Sequence, residues 1–167
     1  MPSKRSVTYS FVDASNIIYG ARAEGWMIDQ KKLIDYLKTK FKSEKTYFYF
    51  GKIKGNYKQV NFLEKLKNFG FTLRVKDVKQ IGKKFKANCD VDLTMDMLLD
   101  RDKYNKAIVL SGDGDFLPLY EYLKIKEKKR IVIMAFSKIT AKDIKKFAKK
   151  EFIAFENQKY LLERKKR

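Results

Sequence analysis

Histidine is absent from this 167-residue chain, cysteine occurs once and proline twice. Without histidine there is no Ser-His-Asp or Cys-His nucleophile system, no imidazole acid or base and no histidine-held zinc. The one thiol, Cys89, cannot form an intrachain disulfide, which fits a reducing cytoplasm. With no histidine to activate it, Cys89 reads as a small buried residue rather than a nucleophile. No stretch approaches the roughly 20 apolar residues that cross a bilayer. The N-terminus starts basic but has no long apolar run and no small-residue cleavage site. These absences predict a soluble, cytoplasmic protein without a membrane partner. Any catalysis falls to carboxylates, Lys, Tyr, Ser, Cys or a metal held by oxygens.

Negative charge is scarce. Lys plus Arg number 39 against 20 for Asp plus Glu, a formal net charge of +19. Such a balance points to a polyanion, either nucleic acid or an anionic membrane surface. The basic residues are not confined to one amphipathic helix, which disfavours the membrane surface. Glycine is also sparse, no Ser/Gly/Pro-rich linker interrupts the chain and no internal repeat is present. One domain is expected over residues 1–156, followed by a basic tail over 157–167.

Strand-like and helix-like segments alternate. Residues 7–12, 46–50, 71–75, 107–110, 131–135 and 152–155 read as strands. Asp29 can cap a helix over 30–41, in which Leu33, Ile34, Leu37 and Phe41 share a face. A second helix is predicted over 57–69 with Gly70 as its stop. Further helices are predicted over 91–102, from 116 and over 140–150, while 76–89 is irregular and very basic. Alternation of this kind implies an α/β fold, with crossover units around a mainly parallel sheet covered on both faces. In such sheets ligands bind beyond the carboxyl ends of the strands.

The acids are concentrated at those ends. Seven of the twelve Asp lie between positions 90 and 115, and no Lys or Arg occurs from 87 to 100. Asp13 follows the first strand, Asp113 and Asp115 follow AIVLSG, and Asp90 opens the helix before that strand. Singly, each has a bland reading: Asp90 as a helix cap, Asp92, Asp96 and Asp100 as a solvated face, SGDGDF as a turn. Together, on separate segments with no local cation, they favour a site for a divalent ion. Oxygen-only ligands suit Mg²⁺ or Mn²⁺, and such an ion amid a basic surface suits phosphodiester cleavage.

Three blocks in order, FVDASN (11–16), CDVDLTMD (89–96) and VLSGDGDFLPL (109–119), resemble the NYN domain, LabA-like branch, of the PIN-like ribonuclease superfamily. The resemblance implies a Rossmann-like three-layer sandwich with a central, mainly parallel sheet. It also implies a metal-dependent endoribonuclease acting on single-stranded or structured RNA. Its catalytic set maps onto Asp13, Asn16, Asp90, Asp96, Asp113 and Asp115. Of these, Asp13, Asp96 and Asp113 are the expected ligands of Mg²⁺ or Mn²⁺, and Asp90 and Asp115 complete the pocket. Asp92 falls at a position that varies in the family and is read as an outer group. Asn16 is expected to position a ligand or phosphate, Ser111 to bond a carboxylate or phosphate, and Phe116 to lie in the core.

Lys52 and Lys54, after the TYFYF strand, and Lys83, Lys84 and Lys86, before Asp90, are candidate RNA phosphate contacts. Tyr19, Trp26 and Tyr57 are candidates for base stacking, with burial as the competing reading for Trp26. A homodimer stays open. The alternative function is a catalytically silent RNA-binding or regulatory module on the same fold. A phosphatase of the haloacid-dehalogenase type is disfavoured, because Ser15 stands where it needs a second Asp.

Overall fold

The computed structural model describes residues 5–81, 84–86 and 88–165; for Lys79–Ile81 and Lys84–Lys86 it describes the backbone. Among the described residues a six-stranded, all-parallel sheet forms the middle layer. In chain order the elements are β1 (Thr8–Asp13), α1 (Ala14–Ala23), α2 (Gln30–Phe41), β2 (Ser43–Lys52), α3 (Tyr57–Phe69) and β3 (Thr72–Asp77). They continue with β4 (Lys79–Ile81), β5 (Lys84–Lys86), α4 (Asp90–Leu99), β6 (Lys106–Leu110) and α5 (Leu117–Ile125). The chain ends with β7 (Arg130–Ala135), α6 (Lys142–Ala148), β8 (Phe152–Ala154) and α7 (Lys159–Leu162).

The sheet order is β3-β2-β1-β6-β7-β8. Its strands are buried on both faces, so successive residues supply opposite cores. Phe11, Tyr47, Tyr49, Val109, Ile131 and Ile133 pack with α4, α5 and α6. Val12, Phe48, Ile108, Leu110, Val132 and Met134 pack with α1, α2, α3 and α7. This is why AIVL and IVIMA are continuous apolar runs rather than alternating ones. Helix starts follow local chemistry. The Asp29 side chain accepts the Lys32 amide and that of Asn56 accepts the Gln59 amide. Gly70 ends α3 at φ 108°.

From β1 the chain winds outward through β2 to β3, then returns to place β6 on the other side of β1. The strand order therefore reverses between β1 and β6, and a crevice opens beyond their carboxyl ends. The predicted strands and helices recur with shifts of a few residues. Two features were not predicted. Residues 14–23 form α1, and part of the irregular basic segment forms the antiparallel pair β4 and β5. No described helix is long and apolar enough to cross a membrane.

Candidate active site

Asp13 closes β1 and starts α1, with only 8% of its surface exposed. Val12 pairs with Leu110, so the residue after β6, Ser111, emerges beside Asp13. Ser111 Oγ donates to Asp13 Oδ2 at 2.9 Å and Ser15 Oγ donates to Oδ1 at 3.1 Å. Burial pushes the Asp13 carboxyl above its ordinary pKa; the two serine hydroxyls oppose this and the nearby Asp113 adds to it.

The loop after β6 is built on its own polar groups. Asp113 N–H donates to Ser111 Oγ at 3.3 Å, and Asp115 N–H to Asp113 Oδ1 at 2.9 Å, capping a 3-10 turn over Gly114–Phe116. Asn16, on α1, accepts the Gly112 N–H through Oδ1 at 3.1 Å, and Gly112 O accepts the Ala141 N–H at 3.0 Å. Only glycine fits at 112. A Cβ there would lie 2.9 Å from Thr140 Cα and 2.5 Å from Thr140 Oγ1. Phe116, next in the turn, is 2% exposed and part of the core, as expected.

Asn88 Oδ1 accepts the Asp90 N–H at 2.7 Å and sets Asp90 at the first turn of α4. Carboxylate oxygens of Asp90, Asp113 and Asp115 then lie within 4.8 Å of one another. Among the described residues, none of Asp13, Asp90, Asp113 and Asp115 has an ion-pair partner, in a chain of charge +19. Burial and the charges of Asp113 and Asp13 push the Asp90 carboxyl up to about 6. The donor set consists of hard carboxylate oxygens, uncompensated and mutually repelling, and so fits a Mg²⁺ or Mn²⁺ ion.

The other candidate residues are distributed differently. Asp96 turns toward the sheet: Tyr49 Oη donates to Asp96 Oδ2 at 2.8 Å and Arg74 Nε does so at 3.0 Å. Its carboxylate is not part of the close group of three. Asp92 Oδ2 lies 3.7 Å from Lys76 Nζ. Asp13 pairs with Tyr49 in the sheet register, so Lys52 lies three residues beyond the level of the acids, and the exposed Lys54 follows. Lys83 lies outside the described residues, as do the side chains of Lys79, Lys84 and Lys86. Tyr19 and Tyr57 are exposed. Trp26 is buried against Phe136 and Phe155, which removes its ring from surface stacking. Cys89 is half-buried and burial raises its thiol to about 11, so it stays protonated near neutral pH.

Ser15, Tyr49 and Arg74 were missed from sequence. Tyr49 and Arg74 are direct neighbours on β2 and β3, and only the strand register brings them together. Ser15 carried a local signal, since a hydroxyl two residues after an acid at a strand end is placed to bond it.

The family model of the NYN domain matches residues 8–157. The "Low amplitude and bright protein LabA" of Synechococcus elongatus is 29% identical over 135 residues, covering 75% of this chain and 70% of that protein. A crystal structure of a protein of unknown function from Vibrio parahaemolyticus is similar with a TM-score of 0.82 at 22% identity. The match covers 98% of this chain and 100% of that one, and it shows a shared fold.

Proposed function

This chain belongs to the NYN domain family, and from that premise we propose that it is a metal-dependent endoribonuclease hydrolysing RNA phosphodiester bonds. The observation that carries this is the meeting of Asp90, Asp113 and Asp115 beside Asp13 with no described cation to neutralise them. The four acids come from three separate segments and converge on the crevice between β1 and β6. A purely structural role would leave mutual repulsion uncompensated.

Asp90, Asp113 and Asp115 would hold Mg²⁺ or Mn²⁺, with Asp13 beside them as a further ligand, direct or through water. When bound, the ion activates water and offsets negative charge on the phosphate. The protein's own groups do the rest. Ser111 and Ser15 hold the Asp13 carboxylate in one orientation. Asn16 fixes the Gly112 amide and with it the loop that carries Asp113. One carboxylate of the set orients and deprotonates the attacking water. Its oxygen bonds to phosphorus, the bond to the leaving ribose oxygen breaks, and a proton passes to that oxygen. Lys52 and Lys54, with Lys83, Lys84 and Lys86 from the β4–β5 segment, would guide RNA phosphates toward the crevice. Asp96, bonded to Arg74 and Tyr49, supports α4 and the placement of Asp90 on it.

Incubation of the purified chain with end-labelled single-stranded RNA and Mn²⁺ tests the proposal. Cleavage by wild type that is lost with EDTA and in Asp113→Asn supports it. Equal degradation by wild type and Asp113→Asn sinks it. Salt-sensitive RNA binding without metal-dependent cleavage marks the silent RNA-binding module instead.

A further inference from the structure

A cavity of about 660 Å³ opens beside Asp13. One wall is a single face of α1, where Ser15, Ile18, Tyr19 and Arg22 recur at helical spacing. The facing wall comes from β2 and the start of α3, with Phe50, Ile53, Gln59 and Phe62. Trp26 and Gln30 line it beyond the end of α1. Ten residues of α1 separate the two ends, about 15 Å at the helical rise per residue.

We propose that this cavity is a nucleobase-binding subsite. It takes the base and ribose of the RNA nucleotide next to the phosphate at the acidic cluster. The inference rests on the ribonuclease reading, because Asp13 is shared between cluster and cavity.

Three features of the lining favour a nucleotide over a purely apolar ligand or a free anion. First, the walls offer flat apolar surface, including the Phe50 and Phe62 rings, packed edge to face at 5.7 Å. Bases are held on aromatic and apolar surfaces of this kind. Second, the amides at the mouth are oriented. Asn56 Oδ1 accepts the Gln59 N–H and Gln59 Oε1 accepts the Ile53 N–H, so both side-chain NH₂ groups are left as donors for base oxygens and ring nitrogens. Deeper in the lining, Trp26 Nε1 and Gln30 Oε1 are buried with no hydrogen-bond partner among the described residues. A base edge presents both acceptors and donors. Third, Arg22, Lys58 and Arg164 are exposed at the rim with no ion-pair partner among the described residues. They suit the phosphates on either side of an inserted base. A cavity of this size lies in the range of small-ligand sites.

Trp26 is the chain's only tryptophan, so its emission reports directly on the cavity. The test titrates the whole chain, in EDTA at low salt, with a fluorescently end-labelled hexauridylate. Label anisotropy reads binding anywhere, and Trp26 emission excited at long wavelength reads the cavity. The expected result is a Trp26 change that follows the anisotropy curve. Arg22→Glu, at the exposed rim, weakens binding at least tenfold, and Ile53→Tyr, which narrows the mouth, removes the Trp26 change. Circular dichroism confirms that each variant is folded. Binding with silent Trp26 emission and unchanged affinity in Arg22→Glu overturns the subsite, as does a failure to bind RNA. A Trp26 response without Mn²⁺-dependent cleavage upholds the subsite while the nuclease reading falls. Cleavage with no Trp26 response does the reverse.

Discussion

Ser111 and Asp13, 98 residues apart in sequence, are joined by a buried hydrogen bond of 2.9 Å between Ser111 Oγ and Asp13 Oδ2. The bond ties the carboxyl ends of β1 and β6 at the point where the strand order reverses. Ser111 is fully buried, so the Ser111→Ala variant leaves an acceptor without its donor. A loss of about 1–2 kcal/mol in denaturant unfolding is expected. Asp13 then loses its fixed orientation, and a weakening of Mn²⁺ binding by about 10-fold to 100-fold is expected, as for partners that orient metal ligands. Calorimetric titration with Mn²⁺ checks this, and unchanged affinity would separate Asp13 from the metal.

Asp96 and Asp113 make opposite demands on experiment. Asp96 is engaged by Tyr49 and Arg74, whereas Asp113 faces Asp90 and Asp115. Asp96→Asn is expected to cost about 1 kcal/mol of stability, because Arg74 is partly exposed and loses a solvent-screened ion pair. It should retain most of the thermal shift produced by Mn²⁺. Asp113→Asn should lose that shift, which for wild type is about 2.7 kcal/mol when Mn²⁺ is at 100 times its dissociation constant. Thermal melts with and without Mn²⁺ compare the two. A shift abolished by Asp96→Asn but kept by Asp113→Asn would return the metal to the set expected from sequence, which included Asp96.

Much of this arrangement was legible in the residues. Strands β6 and β7 are short apolar runs with no competing helical period, and α2 and α3 carry both a face and a stop. The acids were legible because they follow strand ends. Helix α1 was not, because Gly20 interrupts its pattern. That glycine is there for contact, since a Cβ at 20 would lie 2.3 Å from Phe136 Cδ2. The pairing of β4 with β5 was hidden for another reason: three-residue charged strands are set by their hairpin register rather than by burial. The partners of Asp96 depend on two different strands, and no local spacing in sequence encodes them.

Asp90 links the site to pH. Burial and the neighbouring Asp113 and Asp13 raise its carboxyl from 3.8 to about 6, so the folded state holds that proton more tightly than the unfolded chain. Its contribution to stability is full below pH 3.8 and is lost as pH rises toward 6. Solvent contact reduces the cost at pH 7 to about 1 kcal/mol. In EDTA at pH 7, Asp90→Asn is therefore expected to melt higher than wild type, with the gain vanishing near pH 4. With saturating Mn²⁺ the order reverses, because wild type keeps a ligand that the variant lacks. Melts at both pH values, with and without Mn²⁺, check all three points. A variant less stable than wild type in EDTA at pH 7 would show that the cluster is not repulsive.

Gly112 sets the position of the Asp113 loop by contact rather than by an unusual backbone angle. Its φ is not among the positive values of the chain, so alanine meets no conformational barrier there. The barrier is Thr140, whose Cα would lie 2.9 Å from the new Cβ and whose Oγ1 already donates to Phe136 O at 2.7 Å. Neither the backbone nor the bonded hydroxyl can yield without moving the other. Gly112→Ala is therefore expected to push the loop away from Thr140, strain the Asn16 bond to the Gly112 amide and carry Asp113 out of register with Asp90. A stability loss of about 1–3 kcal/mol is expected from the overpacking. The Mn²⁺ thermal shift should fall with it. The double variant Gly112→Ala, Thr140→Gly opens the space and should recover both. If the second change restores neither, the contact with Thr140 does not position the loop.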